Sequence, residues 1–228
     1  GQTADLRFLE LEYPYTAATH LPAKRTATQL KGREKDDEAA ENAPRPPALH
    51  PLEQPRFRQE RRGLTPAERG TAVHLALQYL DFSDMDAAGQ LAALREKRLL
   101  TPEQADSVDI AQLETLLRSP LAAEIRSGKN VLREYPFTVL IPASGLDPAA
   151  QDDQVLLQGV VDCCFETGDG LVVVDFKTDR VSGGETALRA EHYRPQLEAY
   201  SAALERVLEK PVVRRVLYFL TPGETVEL

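Results

Sequence analysis

Apolar and polar positions along the chain change period near residue 130, which separates a helical part from a strand-rich part. Thr65-Pro66-Ala67-Glu68 has the form of a capping box with proline in the first turn, and the pattern behind it stays helical through about Leu80. Thr101-Pro102-Glu103-Gln104 repeats that start signal, so helices are expected from there to Arg126, broken near Ser119-Pro120 and ended by Gly128. Then Val131–Ile141, Val155–Phe165 and Leu171–Thr178 alternate and are rich in β-branched residues, which predicts three strands. Thr167-Gly168-Asp169-Gly170 supplies a tight turn that makes the second and third a hairpin. A helix is placed from about Pro195, whose missing N–H is harmless in a first turn, to about Glu209, and Val212–Leu220 is a fourth strand. This order predicts an α/β (α+β) class: a mixed central β-sheet flanked by helices, with a helical part on its N-terminal side.

Upstream of Thr65 the pattern is weaker. Gly32–Pro55 is rich in Pro, Ala and charge without apolar periodicity and reads as a linker or mobile loop. The expected organisation is an N-terminal extension with a flexible linker over 1–64 and a folded domain over 65–228. A chain that starts at Gly1 rather than Met reads as a piece of something longer.

Composition narrows the chemistry. The formal net charge of −9 argues mildly against a non-specific nucleic-acid binder, yet acids crowd 33–41 and arginines crowd 44–69, so net charge describes no single surface. The two cysteines, Cys163 and Cys164, are adjacent on one strand, which excludes a disulfide framework and a four-thiolate metal cluster and favours a reducing, intracellular setting. No apolar run approaches the ~20 residues of a membrane span. No phosphate-binding Gly-rich loop precedes Lys-Ser or Lys-Thr, so no ATP site of that kind is expected.

The hairpin carries the candidate chemistry. Pairing through the Gly168-Asp169 turn sets Asp162 opposite Asp175, with β-carbons about 4.5–5.5 Å apart, where like charges destabilise a sheet. Lys177 shares their face, while Val161, Cys163 and Phe165 with Val172, Val174 and Phe176 form an apolar face suited to a core. Two crowded carboxylates invite a divalent cation such as Mg²⁺ or Mn²⁺. The plainer alternative is neutralisation of the pair by Lys177 on an exposed surface.

Three segments in order, Gly159-Val160-Val161-Asp162, Asp175-Phe176-Lys177-Thr178-Asp179 and Gln196-Leu197-Glu198-Ala199-Tyr200, resemble the PD-(D/E)XK nuclease superfamily in its RecB-like branch. The similarity is greatest to the C-terminal nuclease domain of AddA-type subunits of AddAB helicase–nucleases and runs from about Gly70 to Leu220. Val161 stands where the family signature carries proline. The resemblance implies a restriction-endonuclease-like core and Mg²⁺-dependent hydrolysis of DNA phosphodiester bonds, Mn²⁺ substituting. Asp162 and Asp175 would ligate the metal, the Phe176 carbonyl would complete part of its shell, and Lys177 would orient the attacking water and stabilise phosphate charge.

The same resemblance brings His74, in Gly70-Thr71-Ala72-Val73-His74, and Glu134, in Arg133-Glu134-Tyr135-Pro136-Phe137, to the metal. Taken singly, each is an ordinary helix or strand residue; Pro136 implies an edge or bulge that re-aims Glu134. Gln196 and Tyr200 share a helix face and would stand near the lysine and the phosphate. Asp179 and Arg180 would reach the DNA backbone. No iron–sulfur cluster is implied. The partners implied are DNA, as a single strand delivered by a helicase motor, and an AddB-like protein, in double-strand break repair by homologous recombination in the bacterial cytoplasm, with no membrane. Two other classes stay open: a catalytically idle nuclease-like DNA-binding or protein-interaction module, and a metal-dependent hydrolase of small phosphate esters.

Overall fold

A computed structural model of the chain describes residues 23–27, 29, 63–143, 154–182 and 184–228. Among them the order is β1 (Lys24–Thr26), α1 (Pro66–Tyr79), α2 (Ala87–Glu96), α3 (Pro102–Ser107), α4 (Ile110–Leu117), α5 (Pro120–Ser127), β2 (Lys129–Pro142), β3 (Gln154–Glu166), β4 (Leu171–Lys177), α6 (Thr186–Leu208), β5 (Val212–Phe219) and β6 (Glu224–Glu227). The segment Gly32–Pro55 lies outside the described residues. No helix among the described residues is long and apolar enough to cross a membrane.

Local chemistry sets the helix starts. Thr65 Oγ1 accepts from the Glu68 N–H at 3.2 Å while Glu68 accepts from the Thr65 N–H at 2.7 Å, the reciprocal bonds that define α1. Thr101 and Gln104 repeat the device at α3, and Ser119 with Pro120 starts α5, which ends at Gly128. The helix α2, capped by the Asp86 side chain, was not foreseen: Gly89 and Gln90 interrupt its first turns, and Ala87, Leu91 and Leu94 alone are buried. The last helix differs too. α6 starts at Thr186, not near Pro195, which sits inside it. Proline removes one helical hydrogen bond, but Pro195 faces solvent, and buried Ala190 and Tyr193 hold the preceding turns on the sheet.

The six-stranded sheet runs β1-β3-β4-β5-β6, with β2 also paired to β3. The strands β4 and β5 are parallel, so they need a crossover, and α6 is that crossover. Helices α1–α5 cover one face, packing on Cys163, Phe165, Val172, Val174, Phe176, Val216 and Tyr218. The other face carries Leu171, Val173, Leu217 and Phe219 beneath Tyr193, Leu197 and Tyr200 of α6. Val161 was expected beside Cys163 and Phe165 but packs on the α6 side.

That reversal has a visible cause. The β2–β3 ladder pairs Arg133 with Cys163 and Tyr135 with Val161, skipping Glu134 and Asp162 between them. The β3–β4 ladder follows the register expected from the turn, including Cys163 with Val174 and Phe165 with Val172, and stops one step before Asp162 and Asp175. Asp162 is thus the point where β3 leaves both neighbours. Because β2 occupies one whole edge of β3, its other edge is shared by β1 at Leu156–Gln158 and β4 at Cys163–Glu166. Residues 159–162 lie between them.

Candidate active site

Three elements meet at this interruption. The α1 helix brings His74, β2 brings Glu134 and β3 brings Asp162, and one ligand atom from each lies within 4.8 Å of the other two. His74 Nδ1 is 3.5 Å from Asp162 Oδ1 and 3.8 Å from Glu134 Oε1. Glu134 reaches the group through its own backbone: its φ of 45° lies in the left-handed region, which costs a non-glycine residue roughly 1–2 kcal/mol. Pro136 does lie on an edge strand, paired in register with Val160, so the re-aiming is at Glu134 itself. The other oxygen of Asp162 accepts the Phe176 N–H at 2.8 Å, so a side chain substitutes for the missing ladder bond.

Behind this group lies a buried polar row. Asp175 and Lys177 are 1% and 4% exposed, which removes the exposed-surface alternative for the pair. Lys177 Nζ lies 2.7 Å from Asp175 Oδ2 and 3.4 Å from Gln196 Oε1. Gln196 in turn donates to the Tyr200 hydroxyl at 2.5 Å. The Tyr200 ring packs edge-on against Phe137, with centroids 5.8 Å apart, over Gly159, where a β-carbon would come within 2.6 Å of the Phe137 ring. Asp175 is not in the three-residue group; its carboxylate meets Lys177. Phe176 contributes its N–H, and its ring packs on Tyr218 at 6.3 Å.

Electrostatics follow from the burial. Desolvation opposes ionisation of Asp162, but His74, Lys177 and the Phe176 N–H outweigh it and hold its carboxyl below the usual range. Burial, then the charges of Asp175 and Asp162, push the Tyr200 phenol well above its ordinary value, so it stays neutral. Burial also raises the Cys163 and Cys164 thiols to about 12, which leaves neither as a nucleophile.

Several residues at the site escaped the sequence reading. The Tyr193 ring lies 4.2 Å from Lys177 Nζ and forms an aromatic floor for the ammonium. Its hydroxyl donates to Asp179 Oδ2 at 2.5 Å, and Arg189 Nε donates to the same oxygen at 2.9 Å. Asp179, expected at the DNA backbone, is therefore bound within the protein, whereas Arg180 is exposed. Tyr193 shares a helix face with Gln196 and Tyr200, a signal hidden by starting the helix at Pro195. Arg133, beside Glu134, donates to the carbonyls of Leu77, Gln78 and Leu80 at the end of α1, and its guanidinium lies 4.6 Å over the Phe82 ring.

The group suits a small hard cation. Two ligands at right angles on a cation at ~2.1 Å stand about 3 Å apart, and opposite ligands about 4.2 Å, close to the spacings among His74, Glu134 and Asp162. Imidazole with two carboxylates fits Mn²⁺ readily and Mg²⁺ when oxygens and water complete the shell.

Comparison with known proteins points the same way. Residues 40–227 match the family model of the PD-(D/E)XK nuclease superfamily. Proteins named as AddA-type subunits of an ATP-dependent helicase/nuclease are similar over almost the whole chain. The one from Acetivibrio thermocellus is 39% identical over 224 residues, covering 95% of this chain and 18% of that protein. Those from Ruminiclostridium cellulolyticum and Desulforudis audaxviator are each 36% identical, covering 97% and 95% of this chain and 18% of theirs. The chain thus spans less than a fifth of the length of these relatives.

Proposed function

We propose a function from one premise: the chain belongs to the PD-(D/E)XK nuclease superfamily. In this reading it is a deoxyribonuclease domain that hydrolyses DNA phosphodiester bonds with Mg²⁺ or Mn²⁺, acting as an exonuclease within a larger helicase–nuclease. The observation that carries it is the meeting of His74, Glu134 and Asp162 beside the buried Asp175–Lys177 pair. His74, Glu134 and Asp162 hold the cation, with Asp175 and the Phe176 carbonyl as the further oxygen donors of the same hairpin. When bound, the cation polarises the phosphoryl oxygen and acidifies its water.

The remaining work belongs to the chain. Lys177 keeps its positive charge in a buried place because Asp175, Gln196 and the Tyr193 ring replace its hydration. That ammonium orients the attacking water and offsets charge developing on the phosphate. Gln196, fixed by Tyr200, holds the lysine from the other side. The names of the relatives support a longer protein with a motor, an AddB-like partner, a role in double-strand break repair by recombination, and a bacterial cytoplasmic location.

End-labelled single-stranded and linear duplex DNA, incubated with the chain and Mg²⁺ or Mn²⁺ and resolved on a gel, tests the activity. Cleavage should disappear in chelator and fall by about a hundredfold or more in Asp162→Ala and Lys177→Ala. A folded, metal-loaded chain that leaves DNA intact, or full activity in Lys177→Ala, refutes the reading.

A further inference from the structure

The three elements that build the site continue past it into one cleft of about 830 Å³. One turn back from His74, α1 presents Arg69 and Gly70; just beyond Lys177, the chain presents Arg180 and Val181; one to two turns back from Gln196, α6 presents Leu188 and His192. A helical turn is about 5.4 Å, so the cleft opens beside the catalytic group rather than at a distance from it.

Its lining is two-natured. Arg69 and Arg180 are exposed, and among the described residues neither forms an ion pair. Two of the acids along the same walls are already engaged: Asp109 caps α4, and Asp179 accepts from Arg189 and Tyr193. Between the arginines stands Leu188, 73% exposed, more than any other large apolar side chain of the described residues. Burial in a core cannot explain a leucine there. Its neighbours Val73 and Val181 extend the apolar strip along the cleft.

A ligand that matches both features carries regularly spaced negative charge and free apolar faces. Single-stranded DNA does, because its phosphates meet cations while its unpaired bases expose faces to apolar side chains; a duplex hides those faces. We propose that this cleft is a strand-holding subsite, in which Arg69 and Arg180 each take a phosphate and Leu188 takes the face of an unpaired base. The proposal rests on the nuclease reading for its direction, since the cleft then feeds the cation-binding group.

The test reads binding alone. Fluorescence anisotropy of a labelled oligothymidine is followed in chelator, with the 228-residue chain, at about 50 and about 200 mM salt. The wild-type chain should bind the single strand more tightly than a blunt duplex of equal length. The double variant Arg69→Ala with Arg180→Ala should weaken binding about tenfold and reduce the slope of log affinity against log salt by about 0.7 per arginine. Leu188→Ser should weaken binding about threefold or more and leave that slope unchanged, while Arg69→Lys with Arg180→Lys should keep the slope. Equal affinity for single strand and duplex overturns the subsite, as does no binding by the wild-type chain, wild-type behaviour of the double alanine variant, or no loss in Leu188→Ser. Cleavage is not read, so a failed nuclease assay and a failed binding assay are separate results.

Discussion

Replacing Arg133 with Met tests how the cation-binding group is held. Arg133 is half-buried and sends one guanidinium nitrogen to the carbonyls of Leu77, at 3.3 Å, Gln78, at 3.5 Å, and Leu80. These are among the last carbonyls of α1, which have no partners within the helix, and α1 has no basic residue in its own last turn. A strand residue therefore caps the helix that carries His74. One hydrogen bond to a charged group contributes about 1.5–3 kcal/mol, and three carbonyls sharing one nitrogen count as between one and two such bonds. Methionine keeps much of the apolar stem, and burial disfavours the guanidinium charge, which offsets part of the loss. The expected destabilisation is about 2–4 kcal/mol; in a chain of this size each kcal/mol moves Tm by about 2–4 °C, so a drop of about 6–12 °C is expected for a loss near 3 kcal/mol. Mn²⁺ affinity by titration calorimetry should also fall by about tenfold or more, as for supporting residues around metal sites, with Arg133→Lys falling between. An unchanged urea midpoint together with unchanged Mn²⁺ affinity would show that Arg133 neither caps the helix nor steadies His74.

Other perturbations probe neighbouring contacts. Tyr193→Phe keeps the aromatic floor beneath Lys177, and Tyr193→Leu removes it; a cation–π contact of about 0.5–2 kcal/mol predicts a loss in kcat of about threefold to thirtyfold for leucine and a smaller one for phenylalanine. Equal rates in the two variants would contradict the role of the ring. Gly159→Ala pushes a methyl group to within 2.6 Å of the Phe137 ring and 3.2 Å of Tyr200 and should cost about 1–3 kcal/mol in urea unfolding, with a wild-type midpoint as the refuting result. Asp162 is held below its ordinary pKa of 3.8, burial opposing and His74, Lys177 and the Phe176 N–H prevailing. Its contribution is therefore present above that value and lost as pH falls through the lower native one, so stability should decline below about pH 4 and decline less in Asp162→Asn. Parallel acid titrations of the two proteins would argue against it.

Much of this was legible because short-range rules were decisive where they applied. The capping boxes at Thr65 and Thr101 and the turn at Gly168-Asp169 set helix starts and hairpin register without help from the rest of the fold. The register led to the neighbourhood of Asp162 and Asp175 but not to the arrangement there. That arrangement depends on Glu134 adopting a left-handed backbone and on β3 turning over, and neither has a local sequence signal. Pro195 misled for a related reason: a helix-breaking residue on the solvent side was overruled by the packing of Ala190 and Tyr193. Tyr193, Arg133 and Arg189 followed from tertiary contact alone. The short strands β1 and β6 exist because longer strands offered them an edge.

His74, Glu134, Asp162, Lys177 and Gln196 are contributed in that order along the chain, by five separate elements. During synthesis the first of them leaves the ribosome long before the last, and no early segment contains two of the cation-binding residues already juxtaposed. The unfinished polypeptide therefore has no means of cutting anything it meets. Competence arrives in a single step when the sheet closes, which restricts hydrolysis to molecules that have completed their fold.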